Sequence, residues 1–245
     1  MESAFLDPPV PLPVGEIDQA VYEIRKAPLE RLTDKSWLEN WLLLRLGLNN
    51  EILHEFPKFL YPWCGHGIMS WQYPSQFSKY LVWLSQRKIG NYVEIGARRG
   101  GTFIITVEYL RRFNPIEHAL AMDIVEQPIM RAYTKTAEGC SYALLDSKSA
   151  EAKTLLQSRY WDLALIDGDH SASGFWSDFA VLRDHSRIVA AHDVASDLFP
   201  HLKQFQAAVT RLLPTHKVFS ALDQYDEVKA RTGKSFLGLV AAEIG

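Results

Sequence analysis

The chain has 245 residues, 47% of them hydrophobic, and a formal net charge of −3. That length allows one generous domain or two small ones with a sizeable core, and the composition is that of an ordinary globular protein rather than a disordered or fibrous one. Its basic residues are scattered, which argues against a nucleic-acid track, and no window approaches the roughly 18 uninterrupted apolar residues of a membrane span. Two cysteines, Cys64 and Cys140, show no zinc-site spacing and fit reduced thiols. No basic region followed by an apolar run opens the sequence, so the expectation is a cytoplasmic protein that does not cross a membrane.

In chain order, Asp7 to Pro13 holds too many prolines for a helix or a central strand and predicts an extended arm. From Glu16 to about Phe59, apolar residues at helical spacing (Ile17, Val21, Ile24, then Trp37, Trp41, Leu44) predict a helical front end, with Asp34 as a cap. Exposed tryptophans on this apolar segment would suit a homo-oligomer contact. Tyr61 to Pro74 is an aromatic loop rich in glycine and proline, of the kind that lines small-molecule pockets, although core packing explains each single aromatic better. Beyond Gly90 strand and helix patterns alternate, the signature of a doubly wound parallel sheet. Strands are predicted at about Tyr92–Gly96, Ala119–Ile124, Tyr142–Leu145, Leu163–Asp167 and Ile188–His192. Two more, near Val218–Leu222 and Phe236–Ala242, make seven.

The stretch from Tyr92 to Thr102 joins a strand directly to a glycine-rich turn and a helix. Gly96, Gly100 and Gly101 admit positive φ and let backbone N–H groups approach a ligand. Glu94, two residues before the first glycine, is poorly placed for a phosphate and well placed for a cationic or hydroxyl-bearing ligand. The spacing G-x-x-x-G-G matches neither the dinucleotide fingerprint nor the phosphate loop. In an open α/β sheet ligands sit at the carboxyl ends of the strands, and acidic residues stand at four of the five parallel ones. Asp123 follows the second strand, where a carboxylate can accept both hydroxyls of a ribose; Asp146 and Ser147 follow the third. The fourth strand runs into Asp167-Gly168-Asp169-His170 and the fifth into His192-Asp193. Such groups after buried strands are costly to assemble without a ligand or metal, and Asp167 or Asp169 can converge with His192 and Asp193 on one cation.

Glu94 to Thr102, read as Glu-Ile-Gly-x-x-x-Gly-Gly-Thr, resembles motif I of class I S-adenosylmethionine-dependent methyltransferases, in the branch of the metal-dependent O-methyltransferases and cephalosporin-hydroxylase-like proteins. The resemblance covers roughly Gln72 to Glu243. It implies a Rossmann-like α/β fold, a doubly wound seven-stranded, mostly parallel sheet closed by a C-terminal antiparallel hairpin. Residues 71–245 would form the methyltransferase domain and residues 1–70 an N-terminal arm and helical cap. It implies S-adenosylmethionine bound by Glu94, Gly96, Gly100, Gly101, Thr102, Asp123, Asp146, Ser147 and Gly168, with Asp146 or Ser147 at the adenine edge. It further implies a divalent metal, magnesium or manganese, on Asp167, His192 and Asp193, and His170 as general base beside Asp167. The reaction implied is methyl transfer to a hydroxyl of a small molecule such as a sugar or polyhydroxylated natural product. His192 stands where a carboxylate is usual, and an imidazole suits Mn²⁺, Fe²⁺ or Zn²⁺ better than Mg²⁺. Two alternatives stay open. One is a non-methylating or non-catalytic cofactor-binding member of the same fold. The other is a nicotinamide-dependent oxidoreductase, which the glycine spacing and a missing Tyr-x-x-x-Lys pair oppose and only Arg98 and Arg99, as a grip for a 2′-phosphate, keep open.

Overall fold

Along each central strand apolar side chains point alternately to two faces, and both faces are covered. A computed structural model describes residues 8–245. Its strands are β1 (Asn91–Ile95), β2 (His118–Asp123), β3 (Cys140–Leu144), β4 (Trp161–Ile166), β5 (Ser186–His192), β6 (Val218–Ala221) and β7 (Leu239–Glu243). They form one sheet in the order β3-β2-β1-β4-β5-β7-β6. The first five are parallel, and β7 runs antiparallel between β5 and β6. The seven-stranded, mostly parallel sheet with its reversed closing pair is therefore present as expected.

The helices are α1 (Ile17–Lys26), α2 (Leu29–Leu32), α3 (Lys35–Trp37), α4 (Leu43–Leu46), α5 (Pro74–Ser85), α6 (Gly101–Leu110), α7 (Pro128–Thr136), α8 (Ala150–Gln157), α9 (Ala172–Arg183), α10 (Pro200–Leu212) and α11 (Asp226–Thr232). Tyr92, Ala119, Ala121, Leu163, Leu165 and Ile188 face a core shared with α1, α5, α6 and α7. Val93, Ile95, Leu120, Met122, Ala164 and Val189 face a second core under α8, α9 and α10. None of the helices among the described residues is long and apolar enough to cross a membrane.

The N-terminal residues belong to the first of these cores, since Leu12, Ile24, Leu38 and Leu46 are buried with Phe103 and Leu110. Glu108, buried on α6, accepts from Arg25 at 2.7 Å and from Arg111 at 2.8 Å, which fastens α1 to the sheet layer. The arm is extended, as its prolines predict: Leu12 N–H donates to Arg45 O and Leu12 O accepts from Gly67. Asp7, the first residue of that predicted arm, lies outside the described residues. Asp34 caps its helix, accepting from Ser36 and Trp37 N–H.

Three expectations need correction. The helical front end stops at Leu46, not near Phe59, because Gly47 turns with φ +87° against the backbone of His66 and Gly67; Leu48 then bridges to Cys64 and Ser70. Trp37 and Trp41 are not exposed: they stack 5.2 Å apart and pack on the core. The last strand starts at Leu239, not Phe236, because Leu237 and Gly238 hold positive φ and give their carbonyls to Ala195 and Val194.

The motif glycines also act differently from one another. Gly96 (φ +87°) lies where a Cβ would fall on the Asp167 carbonyl, so β1 and β4 end in direct backbone contact. Gly101, the first residue of α6, has no positive φ; a Cβ there would stand 2.6 Å from Ile68 O and Ser70 N, so it admits the aromatic loop. Gly96→Ala combines a left-handed alanine with a backbone clash and is expected to lose about 2–4 kcal/mol. A urea unfolding midpoint equal to that of wild type would contradict this packing role.

Candidate active site

Strand order reverses between β1 and β4, and a crevice opens there at the carboxyl ends of the parallel strands. It has a volume of about 800 Å³, and every predicted site residue lines it: Glu94, Gly96, Gly100, Gly101, Thr102, Asp123, Asp146, Ser147, Asp167, Gly168, His170, His192 and Asp193. Among the described residues four non-glycines hold positive φ, namely Met69, Arg98, Asp193 and Leu237, and all four line this cleft. Conformations of that kind cost of order ~1–3 kcal/mol each and are found where a site must be shaped.

On one side, the turn after β1 folds over the end of β2. The Arg98 N–H donates to Asp123 Oδ2 at 2.6 Å and the Val125 N–H to Oδ1 at 2.9 Å. Two N–H donors leave a carboxylate with further acceptor capacity, which here faces the cleft. Glu94 is buried and accepts from the Tyr92 hydroxyl, two residues back on the same strand face. Burial first of all, with Asp167 and Asp123 adding repulsion, pushes its carboxyl well above the usual range against the opposing pull of Tyr92 and His192. Arg98 and Arg99 are not free for a 2′-phosphate, since both guanidinium groups pair with Glu51, Arg99 at 2.7 Å, and Arg98 also lies 4.5 Å over the Trp71 ring.

In the middle, β4 and β5 bring four groups together. One ligand atom each from Asp167, His170, His192 and Asp193 lies within 4.8 Å of the others. His192 Nδ1 is 2.8 Å from Asp167 Oδ1; His170 Nε2 is 3.2 Å from that oxygen and 3.3 Å from Asp193 Oδ2. Burial alone would depress His192, but Asp167 and Asp193 outweigh it and raise its pKa to about 9. Burial would raise Asp167, yet the two imidazoles hold it down at about 2. His192 Nε2 is buried without a partner. The His170 ring stacks 4.8 Å from Phe199, and the helix behind it is capped by Ser171 rather than by His170. Asp169 does not join the cluster: it pairs with Lys148 at 2.9 Å and accepts from Ser171 N–H.

Most of the aromatic loop packs into a small third core, where Tyr73 meets Phe56, Val228 and Phe236. Met69 and Trp71 reach the cleft, as do Leu198, Phe199 and Leu237. Two buried carboxylates have no sequence signal, Glu55 in the cleft wall and Asp178 beneath the cleft lining. Glu55 sits in an ordinary apolar-polar stretch, and Asp178 lies mid-helix.

Asp178 is 1% exposed beneath Ser147 and Gly168, with neither oxygen in a hydrogen bond of good geometry. Burial above all raises its pKa to about 6, against a lowering by the Ser147 hydroxyl. The folded state thus binds this proton more tightly than the unfolded chain, so stability falls as pH rises from the ordinary Asp value through 6, by about 2–3 kcal/mol. Asp178→Asn is expected to unfold at higher urea than wild type at pH 8, with the gain shrinking at pH 5. Equal midpoints at pH 8 would contradict the unpaired carboxylate.

No family model matches the sequence, and no curated protein is similar to it. Among solved structures, the chain is similar to the MycE methyltransferase from the mycinamycin biosynthetic pathway, in complex with Mg and SAH, at 16% identity and a TM-score of 0.44, over 71% of this chain and 49% of that one. It is also similar to a putative RNA methyltransferase, PH1948 from Pyrococcus horikoshii (10% identity, TM-score 0.47, 86% of this chain and 96% of that one). A third is cofactor-bound Rv0187 from MTB (14% identity, TM-score 0.47, 69% and 80%). The chain spans about half the length of the MycE protein. At TM-scores below 0.5 these likenesses carry no weight, and both the fold and the chemistry of the cleft rest on the chain's own residues.

Proposed function

We propose that the chain is an S-adenosylmethionine-dependent O-methyltransferase that methylates a hydroxyl of a small molecule, such as a sugar or polyhydroxylated natural product, with a divalent cation as helper. The observation that carries this reading is the meeting, in one cleft at the switch point, of the Glu94–Thr102 loop with the cluster Asp167, His170, His192 and Asp193.

The cleft fits the cofactor in size and lining. Its volume lies within the range of small-molecule sites. Asp123 would accept from the ribose hydroxyls and Asp146 and Ser147, at the next strand end, would meet the adenine edge, with Gly96, Gly100, Gly101, Thr102 and Gly168 lining the same cleft. Glu94 supplies a carboxyl for a cationic or hydroxyl-bearing part of the ligand. When bound, S-adenosylmethionine supplies a methyl group whose bond to sulfur breaks, with the electron pair staying on sulfur as the acceptor oxygen bonds to carbon.

The cluster fits a cation by its donor set. Two carboxylates and an imidazole from Asp167, Asp193 and His192 would hold it, with His192 Nδ1 2.8 Å from Asp167 and 3.8 Å from Asp193, and this nitrogen-bearing set favours Mn²⁺ over Mg²⁺. A bound cation lowers the pKa of a hydroxyl on it. His170 stands at the edge of the cluster with its ring on Phe199 and Nε2 beside Asp167 and Asp193; burial lowers its pKa but those two carboxylates outweigh it, so it would take the hydroxyl proton once a cation engages them. Phe199, Leu198 and Leu237 give that end of the cleft an apolar lining.

The reading is tested by incubating the protein with methyl-labelled S-adenosylmethionine, Mn²⁺ and a panel of polyhydroxylated acceptors, with and without chelator. Transfer of label to an acceptor that stops in chelator is expected; transfer unaffected by chelator would remove the cation from the account.

A further inference from the structure

Glu55 is the one carboxylate of the cleft wall contributed by the N-terminal region for which neither the fold nor the proposed chemistry has a use. It ends a single 3-10 turn, Leu53–Glu55, and is 7% exposed. The turn is fixed from outside, because the Tyr73 hydroxyl donates to the Glu55 backbone carbonyl at 2.5 Å. In the side chain, Oε2 accepts from the Trp71 indole at 3.2 Å, while Oε1 has no donor among the described residues. No lysine, arginine or histidine among them lies within ion-pair distance of it. The charges that reach it across the cleft are those of Asp193, His192 and His170. A carboxylate this buried, held by one neutral donor and no cation, is unfavourable in the free protein and asks for a ligand that completes it.

We infer that Glu55 recognises the acceptor: its free Oε1 accepts a hydrogen bond from a second hydroxyl of a polyol or sugar-like molecule whose reacting hydroxyl lies at the Asp167–Asp193 cluster. This rests on the methyltransferase reading and narrows it. A phenol or diol with nothing further to donate would leave the carboxylate desolvated and unpaired, and a site built around a hydrogen bond rejects analogues that lack it far more strongly than it rejects a missing methylene. Burial, reinforced by Asp193 and opposed by Trp71, His192 and His170, raises the Glu55 pKa to about 7, so the accepting carboxylate form dominates at pH 8.

The full chain loaded with Mn²⁺ and S-adenosylhomocysteine is titrated calorimetrically at pH 8 with two kinds of probe. Methyl glucoside and myo-inositol are the polyols; catechol has both its hydroxyls engaged at the cluster and none left for Glu55. Wild type should bind a polyol, Glu55→Leu should weaken it about 100-fold, and Glu55→Gln, which keeps an acceptor, by about tenfold. Catechol, which leaves the wild-type carboxylate desolvated and unpaired, should lose no affinity in either variant and should bind Glu55→Leu more tightly than wild type. Both variants should keep S-adenosylhomocysteine and Mn²⁺ affinity and a thermal midpoint at or above that of wild type, since an unpaired buried carboxylate is gone. Equal loss for both probes, no loss for either, or a lowered midpoint accompanied by lost cofactor affinity would overturn the inference. So would a wild type that binds cofactor and metal but neither polyol. A wild type with no affinity for S-adenosylhomocysteine would instead overturn the reading beneath it.

Discussion

Asp193→Ala is expected to weaken Mn²⁺ binding at least about 100-fold and to abolish cation-dependent transfer. Loss of groups that merely orient metal ligands costs roughly 10–100-fold in affinity, and a ligand itself should cost more. Asp193 is held for this position by its backbone: φ is +58°, a conformation a non-glycine residue adopts at a cost, and it delivers Oδ2 to 3.3 Å from His170 and 3.8 Å from His192. The turn keeps its own backbone bonds, Ser196 N–H to Asp193 O and Val194 N–H to Gly238 O, and the Asp193 carboxylate lines the cleft rather than a core. The alanine variant should therefore remain folded, with unchanged affinity for S-adenosylhomocysteine. Titration of Mn²⁺ by electron paramagnetic resonance reads the effect directly. An unchanged Mn²⁺ affinity, or full activity in chelator, would end the assignment of this cluster to a metal.

Asp123→Ala should weaken S-adenosylhomocysteine by about 30–100-fold, the equivalent of about 2–3 kcal/mol for lost hydrogen bonds to a charged acceptor. Two losses combine. The ribose hydroxyls lose their acceptor, and the turn after β1 loses the anchor that holds Arg98 N–H at 2.6 Å and Val125 N–H at 2.9 Å. Because Asp123 is a rim residue outside both cores, the urea midpoint should move little. Calorimetric affinity equal to that of wild type would remove the ribose assignment.

What could be read from the sequence was whatever periodicity and strand ends encode. Apolar runs of the right length predict all seven strands, and since each parallel strand ends on the same sheet edge, Asp123, Asp146, Asp167 and His192-Asp193 could be placed together before any coordinates. The residues alone leave Asp167 or Asp169 open and only the resemblance points to Asp167, because the choice turns on Lys148 reaching across from the preceding loop to pair with Asp169. The packing part of Gly101 could not be read either: a glycine wanted by a ligand and a glycine wanted by the Ile68–Ser70 backbone look alike in a motif. Glu55 and Asp178 were invisible because burial of a single carboxylate comes from tertiary packing and leaves no local pattern. The front end was overextended past Leu46 because apolar residues continue there, and only Gly47 marks the break.

The most direct test of the central claim is calorimetric titration of the chelator-treated protein with S-adenosylhomocysteine, with and without Mn²⁺, and with NADP as control. Affinity in the range of about a micromolar for S-adenosylhomocysteine, and none for NADP, is the result expected of this cleft. Absence of binding to S-adenosylhomocysteine, or binding of NADP in its place, would contradict it.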